Sequence, residues 1–241
     1  MIAILSDFGH SEYLGVMKGV IHKNYPEARI LDLYNNITSH NILEGSWILL
    51  QGYKHFPKNT VFLCVVDPGV GGERKPIAIK TKDYYFVGPD NSLMYPAASE
   101  NRILKVIKLS DKGASKTFQG RDIFSVISAR IDQGEKFESL GHSAKIKEKL
   151  NLKPKGREGM IVRIDNFGNI ITNLPSLKKK EYNLIYEHRN EKLPYFDTYE
   201  SAQIDQLFLI TGSSDTLELS IKSGSAFDNF PVKVGDKIII K

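Results

Sequence analysis

Apolar residues in the first part of the chain come in two rhythms. Unbroken runs, among them Ile2-Ala3-Ile4-Leu5 and Val61-Phe62-Leu63-Cys64-Val65-Val66, predict short buried strands at residues 2–5, 29–33 and 61–66. Between them the spacing of Tyr13, Leu14, Val16, Met17, Val20 and Ile21 predicts a helix that starts at Ser11 and stops before Pro26. A second helix is predicted from residue 41 to 56, carrying Ile42, Leu43, Trp47, Ile48, Leu49 and Leu50 and closed by Pro57. Residues 77–80 and 84–87 read as a strand pair joined through Lys82-Asp83, residues 103–109 as a further strand, and residues 123–131 as a further amphipathic helix. Strands that alternate with helices predict an α/β domain with a mostly parallel sheet covered on both faces.

The rhythm changes near residue 145. Residues 145–158 are polar, contain Pro154 and Gly156, and read as a linker. Short strands then recur at 160–164, 168–172, 183–186, 207–210, 217–221 and 237–240, with one short helix near 198–204. This predicts a smaller all-β domain, a barrel or sandwich. The expected division is residues 1–145, a linker at 146–158, and residues 159–241. No internal repeat or low-complexity tract interrupts it.

Composition alters this picture little. Hydrophobic residues make up 41% and charged residues 25%, as in ordinary globular proteins. No apolar run approaches the ~20 residues of a membrane span, and the first residues enter a strand without the pattern of a signal peptide. The single cysteine, Cys64, lies inside an apolar strand, so it reads as a small buried hydrophobe, and a cytoplasmic location is expected. Net charge is +5, but the basic residues are mixed with acids. The densest stretch, KIKEKLNLKPKGRE, lacks interleaved aromatics, and Lys178-Lys179-Lys180 reads as a solvated run. No nucleic-acid partner is expected.

The candidate chemistry begins at VVDPGVGGERKP, residues 65–76, where a strand runs into Asp67 and a glycine-rich loop returns Arg74. A phosphate loop would need Gly-Lys-Ser/Thr, and a dinucleotide fingerprint would need glycine where Arg74 stands. Two readings remain: a tight turn with an ordinary ion pair, or a site. Ligands in open parallel sheets sit beyond the carboxyl ends of strands, and Asp7 and Asp67 each follow such an end. They are therefore expected to face one crevice.

Other motifs carry plainer readings. The six histidines show no paired spacing and there is no second cysteine, so no metal site is expected. Asp7-Phe8-Gly9 imitates a kinase metal motif without the segments that accompany it. Arg121-Asp122 reads as a helix cap and a fold-holding salt bridge, Asp90-Asn91 as a turn, and Trp47 with Tyr84, Tyr85 and Phe86 as core.

Seven segments occur in one order: SDFG (6–9), NILEGS (41–46), VVDPGVG (65–71) with Glu73-Arg74, VGPDN (87–91), FQGRDIF (118–124), IDNFGNIITN (164–173) and GSSDTLELSIKSGSA (212–226). Together they resemble the S-adenosylmethionine hydrolases (adenosine-forming), or SAM hydroxide adenosyltransferases, which are related to the SAM-dependent fluorinase and chlorinase. The resemblance implies attack of water or hydroxide on the 5′ carbon of S-adenosyl-L-methionine (SAM), releasing adenosine and methionine. SAM is then the substrate and no cofactor is needed. It also implies a homotrimer whose sites lie between the N-terminal domain of one subunit and the C-terminal domain of the next.

Carried over by motif, Asp7 matches the carboxylate that holds the ribose hydroxyls. Asp67 and Arg74 match two members of an Asp-Arg-His set that handles water. His40 matches a pocket wall, Asp165 a contact to the amino-acid moiety, Phe167 and Asn169 adenine contacts, and Ser213 and Ser214 the methionine end. The chemistry agrees, because SAM carries a sulfonium and an ammonium, and Asp7, Asp67 and Asp165 supply acids. Whether Asp67 acts as a general base or Arg74 captures hydroxide stays open at this stage.

One position departs from the family. Where histidine is usual, this chain has Gln119, which orients water but takes no proton at neutral pH. The expectation is that Gln119 positions water and that turnover survives at a reduced rate; His10 is a remote substitute for the missing imidazole. A SAM-binding protein with little turnover is the alternative. A halogenase is disfavoured, because the positions of Asp67 and Gln119 are typically tyrosines there and Asp67 would repel a halide.

Overall fold

The apolar run at the start forms β1 (Ile2–Ser6), buried along its whole length. The computed structural model describes residues 1–241, which divide into the units Met1–Asn151 and Leu152–Lys241. In the first unit the chain continues through α1 (Glu12–Asn24), β2 (Ile30–Tyr34), α2 (Ile42–Gly52), β3 (Val61–Val65), β4 (Pro76–Thr81) and β5 (Tyr85–Pro89). It then adds α3 (Tyr95–Glu100), β6 (Ile103–Lys108), a π-helical turn Gly120–Phe124 running into α4 (Ser125–Asp132), and β7 (His142–Ser143).

The sheet order is β2-β1-β3-β5-β4-β6-β7. Pairs β1–β2, β1–β3 and β3–β5 are parallel, whereas β4 and β7 run against their neighbours. The sheet is thus mostly parallel, as expected. One core packs Met17 and Ile21 of α1 with Ile127, Ala129 and Ile131 of α4 against Ile4, Leu63 and Val65. The other core sets Ile48 and Leu49 of α2 with Ala97 and Ala98 of α3 against Leu5, Phe62 and Phe86. Helices cover both faces, which is why β1 up to Leu5 and all of β3 are continuously apolar instead of alternating.

Several motifs turn out to hold this fold. Asn41 caps α2 by accepting the Glu44 N–H at 3.0 Å, while the Glu44 carboxylate reaches back to the Thr38 N–H at 3.0 Å. Asp90 is buried and accepts the Lys147 N–H at 2.9 Å, and the Asn91 amide donates to the Val66 carbonyl at 2.8 Å. Arg121 forks onto its chain neighbour Asp122 at 2.6 and 3.0 Å, and that guanidinium holds the Asp122 carboxyl below its ordinary range. The expected helix cap is absent: both residues lie inside the π-helical turn, and Asp122 instead accepts the Ser115 N–H at 2.9 Å. Cys64 is fully buried, and burial pushes its thiol up, out of the reactive range.

The second unit strings β8 (Glu158–Ile164), β9 (Ile170–Pro175), β10 (Glu181–Tyr186), β11 (Arg189–Pro194), β12 (Leu207–Thr211), β13 (Thr216–Ile221), α5 (Ala226–Asn229) and β14 (Lys237–Ile240). The order is β11-β10-β14-β8-β9-β13-β12 with every pair antiparallel. A bridge from Tyr195, just past β11, to Leu209 of β12 brings the two edges together, so the sheet is nearly a barrel. Alternate residues such as Tyr182, Leu184 and Tyr186 point into one core with Leu209, Leu217 and Leu219. β11, almost entirely polar and exposed, is a strand that the apolar pattern does not announce. Its register comes instead from the Tyr186–Arg189 hairpin. The helix foreseen near 198–204 is a single 3-10 turn, Tyr199–Ser201.

Candidate active site

Sheet order explains why two distant acids meet. From β1 the chain crosses through α1 to β2 on one side, and β3 lies on the other side of β1, so the order reverses between β1 and β3. Crevices open at such a reversal, beyond the carboxyl ends. Ser6 pairs with Val65 in parallel register, so Asp7 and Asp67 leave the sheet along the same edge. Both line one cavity of about 270 Å³, together with Phe8, His40, Val70, Phe118 and Gln119. The crevice expected from the sequence is present.

Its polar wall is a connected set. Arg74 donates from Nε to Asp67 Oδ1 at 2.9 Å and closes a fork from Nη2 to Asp67 Oδ2. The remaining nitrogen, Nη1, donates to Gln119 Oε1 at 2.6 Å. The Asp67 and Arg74 side chains are only 6% and 9% exposed, and Arg74 also lies over the Phe124 ring at 5.6 Å. This excludes the solvated surface ion pair, because a forked, water-poor pair is stiff and strongly coupled. Gly71, at φ +74°, lets the returning loop pass Lys116, whose carbonyl oxygen would lie 2.2 Å from any Cβ at that position. The glycine therefore serves the chain's own backbone.

His40 enters the cavity wall in the left-handed region, φ 68°, and its N–H donates to Asp7 Oδ2 at 2.9 Å. That bond helps to hold a conformation which costs roughly 1–3 kcal/mol outside glycine. One Asp7 oxygen is thereby oriented and the other is left for a ligand. Phe8, Tyr13 and Phe118 pack with ring centres 5.1 to 6.0 Å apart, fixing the apolar side of the cavity. His10 is exposed and does not line the cavity.

The second unit has its own cavity, of about 960 Å³, lined by Arg163, Asp165, Phe167, Asn169, Tyr199, Ser213 and Glu218 among others. Asp165 organises its rim: Oδ1 accepts the N–H groups of Phe167 and Asn169, and Oδ2 accepts the Asn169 side-chain amide, all at 2.9 Å. The Asn169 backbone carbonyl in turn accepts the Asp165 N–H at 3.1 Å. Phe167 is 80% exposed, a large flat apolar surface at a cavity mouth. Ser213 lines the cavity and Ser214 does not. Nowhere do three or more His, Cys, Asp or Glu side chains gather as a metal ion would require, and no helix is long and apolar enough to cross a membrane.

Residues 2–141 match the SAM hydroxide adenosyltransferase N-terminal domain, and residues 159–239 match the corresponding C-terminal domain. The chain belongs to this family. It is 38% identical over 196 residues to the (R)-S-adenosyl-L-methionine hydrolase of Methanocaldococcus jannaschii, covering 77% of this chain and 70% of that protein. A fluorinase of Actinoplanes sp. is 23% identical over 212 residues, 72% of this chain and 71% of its own. A crystal structure of an uncharacterized conserved protein from Thermotoga maritima superposes with a TM-score of 0.92 at 32% identity, covering both chains fully.

Within this adenosyltransferase chain, the N-terminal cavity gathers Asp7, His40, Asp67 and Gln119, with Arg74 behind them, and the C-terminal cavity gathers Asp165, Phe167, Asn169 and Ser213. Glu218 was missed by sequence reasoning. It sits in the apolar run of β13, is 5% exposed, and yet lines the cavity. Burial, reinforced by the charge of Asp165, pushes its carboxyl up to about 7, against the opposing effects of Tyr199 and Arg163. The available signal was an acid in a strand with apolar residues on both sides.

Proposed function

We propose that the protein hydrolyses SAM to adenosine and L-methionine by attack of water or hydroxide on the 5′ carbon. One observation carries the reading: the Arg74 fork fixes Asp67 in a small cavity that also holds Asp7, in a member of this family. As water bonds to carbon and gives its proton to Asp67, the carboxylate loses its negative charge while the sulfonium becomes a neutral thioether. A dry, preorganised wall favours that cancellation over bulk water. Asp7, with one oxygen held by the His40 N–H, suits a ribose diol. Asp165, Asn169 and exposed Phe167 suit the amino-acid and adenine ends.

The reading includes the homotrimer implied by the resemblance, with each substrate shared by two subunits. It also includes a cytoplasmic location, consistent with the single buried, unpaired cysteine.

The Arg74–Gln119 bond narrows the mechanism. With its oxygen committed to Arg74, Gln119 offers a reacting oxygen N–H donors and no site for a proton. Gln119 is thus not the proton acceptor, and in this reading Asp67 takes that role. Incubation with SAM, with and without halide, followed by chromatography, tests the function. Adenosine in both supports it, a 5′-halogenated nucleoside replaces it with halide transfer, and binding without product leaves the low-turnover binder. Gln119→His restores an imidazole beside the cavity. It is expected to raise kcat by roughly 10- to 100-fold, the lower part of what a positioned acceptor contributes, and to add an ionisation near pH 6.5 to the rate profile. An unchanged rate would show that Gln119 is not a weakened substitute.

A further inference from the structure

Glu218 lies mid-strand, paired with Ile210 of β12 and close to Ile171 of β9, so its ladder neighbours are apolar. Its carboxyl rests on Gly212, where an added Cβ would fall 1.7 Å from Oε1, so that glycine makes the space the acid occupies. The charged and titratable groups that face it come from other elements. The Tyr199 hydroxyl, from the 3-10 turn, favours its charge, and Asp165, from the β8–β9 turn, opposes it. Arg163 of β8 also favours that charge. Glu200 and Lys222 line the same cavity but pair with each other at 3.2 Å.

With Glu218 buried beside Asp165, and with Tyr199 and Arg163 offsetting only part of the cost, the cavity is a poor place for a second negative charge. It becomes a good one once a cation arrives. We propose that Glu218 is a proton-linked binding residue: protonated in the free protein, it releases its proton to solvent when a primary ammonium binds beside it and Asp165. The O–H bond of the carboxyl breaks, the proton goes to buffer, and the site gains one negative charge as it gains one positive charge. This inference rests on the reading of the cavity as the amino-acid end of the SAM site.

The sign follows from linkage. Below about 7 the free protein holds a proton at Glu218 that the complex lacks, so affinity rises with pH from 5 towards 7 and then levels off. Its limiting slope is about one decade per pH unit.

The test is calorimetric titration at pH 6 in two buffers of different ionisation enthalpy. The probes are S-adenosyl-L-homocysteine, which keeps the amino-acid end but has no sulfonium to displace, and adenosine, which lacks that end. Release of close to one proton with the first probe and none with the second is expected. In Glu218→Gln, which keeps shape and hydrogen bonding, release should vanish and affinity should become flat between pH 5 and 7. Binding of the first probe without release, or release that persists in the variant, overturns the proposal while leaving the substrate reading intact. Failure of both probes to bind removes the substrate reading and this inference together.

Discussion

Asp67→Asn is expected to lower kcat on SAM by about 10²- to 10⁴-fold, the contribution of a positioned acid or base, while leaving KM nearly unchanged. Asparagine keeps the volume and one acceptor for Arg74 but gives the nucleophile's proton nowhere to go. Because the substrate's polar ends are assigned to Asp7, Asp165 and Asn169, binding should persist. Steady-state kinetics alongside circular dichroism separates this from a folding defect. A kcat within a few-fold of the unmodified enzyme, in a folded variant, would remove Asp67 from the chemistry and leave hydroxide capture by Arg74 as the mechanism.

Arg74→Met should strongly destabilise the N-terminal unit. Methionine fills much of the space against Phe124 but leaves the Asp67 carboxylate, 6% exposed, without its fork, and Gln119 Oε1 without its donor. Breaking a buried pair from one side costs about 3–5 kcal/mol, here a loss of roughly 6–20 °C in Tm. Removing both partners is less harmful than removing one, so Asp67→Asn combined with Arg74→Met should recover a good part of the loss. Thermal denaturation of the two single variants and the double variant reads this coupling. Purely additive losses would mean that the pair is not the buried, coupled unit its geometry describes. Activity should fall in all three, since the pair both holds the fold and positions the nucleophile.

The same pair shows how the site depends on two scales. Asp67 and Arg74 are close in sequence, so the loop that joins them was visible as a strand end followed by flexible residues. Their forked geometry was not, because a surface ion pair and a buried one share the same spacing. What distinguishes them is the packing of Phe124 and Gln119, contributed by the π-helical turn and the residue before it. Asp90 and Glu44 teach the converse. Both lie in segments that carry the family resemblance, and both are spent on backbone N–H groups that hold loops and helix ends.

The amino-acid sequence by itself determined the alternation of covered strands and amphipathic helices, the change to short, closely spaced strands after residue 145, and the emergence of Asp7 and Asp67 from strand ends. These follow from periodicity and chain punctuation, which are local. Only the tertiary structure decided that β1 and β3 are neighbours in register, that Arg74 reaches Gln119, that polar β11 is a strand, and that Glu218 is buried beside Asp165. Those facts depend on which distant segments share a register and how much water remains between them, and no local pattern of residues encodes either.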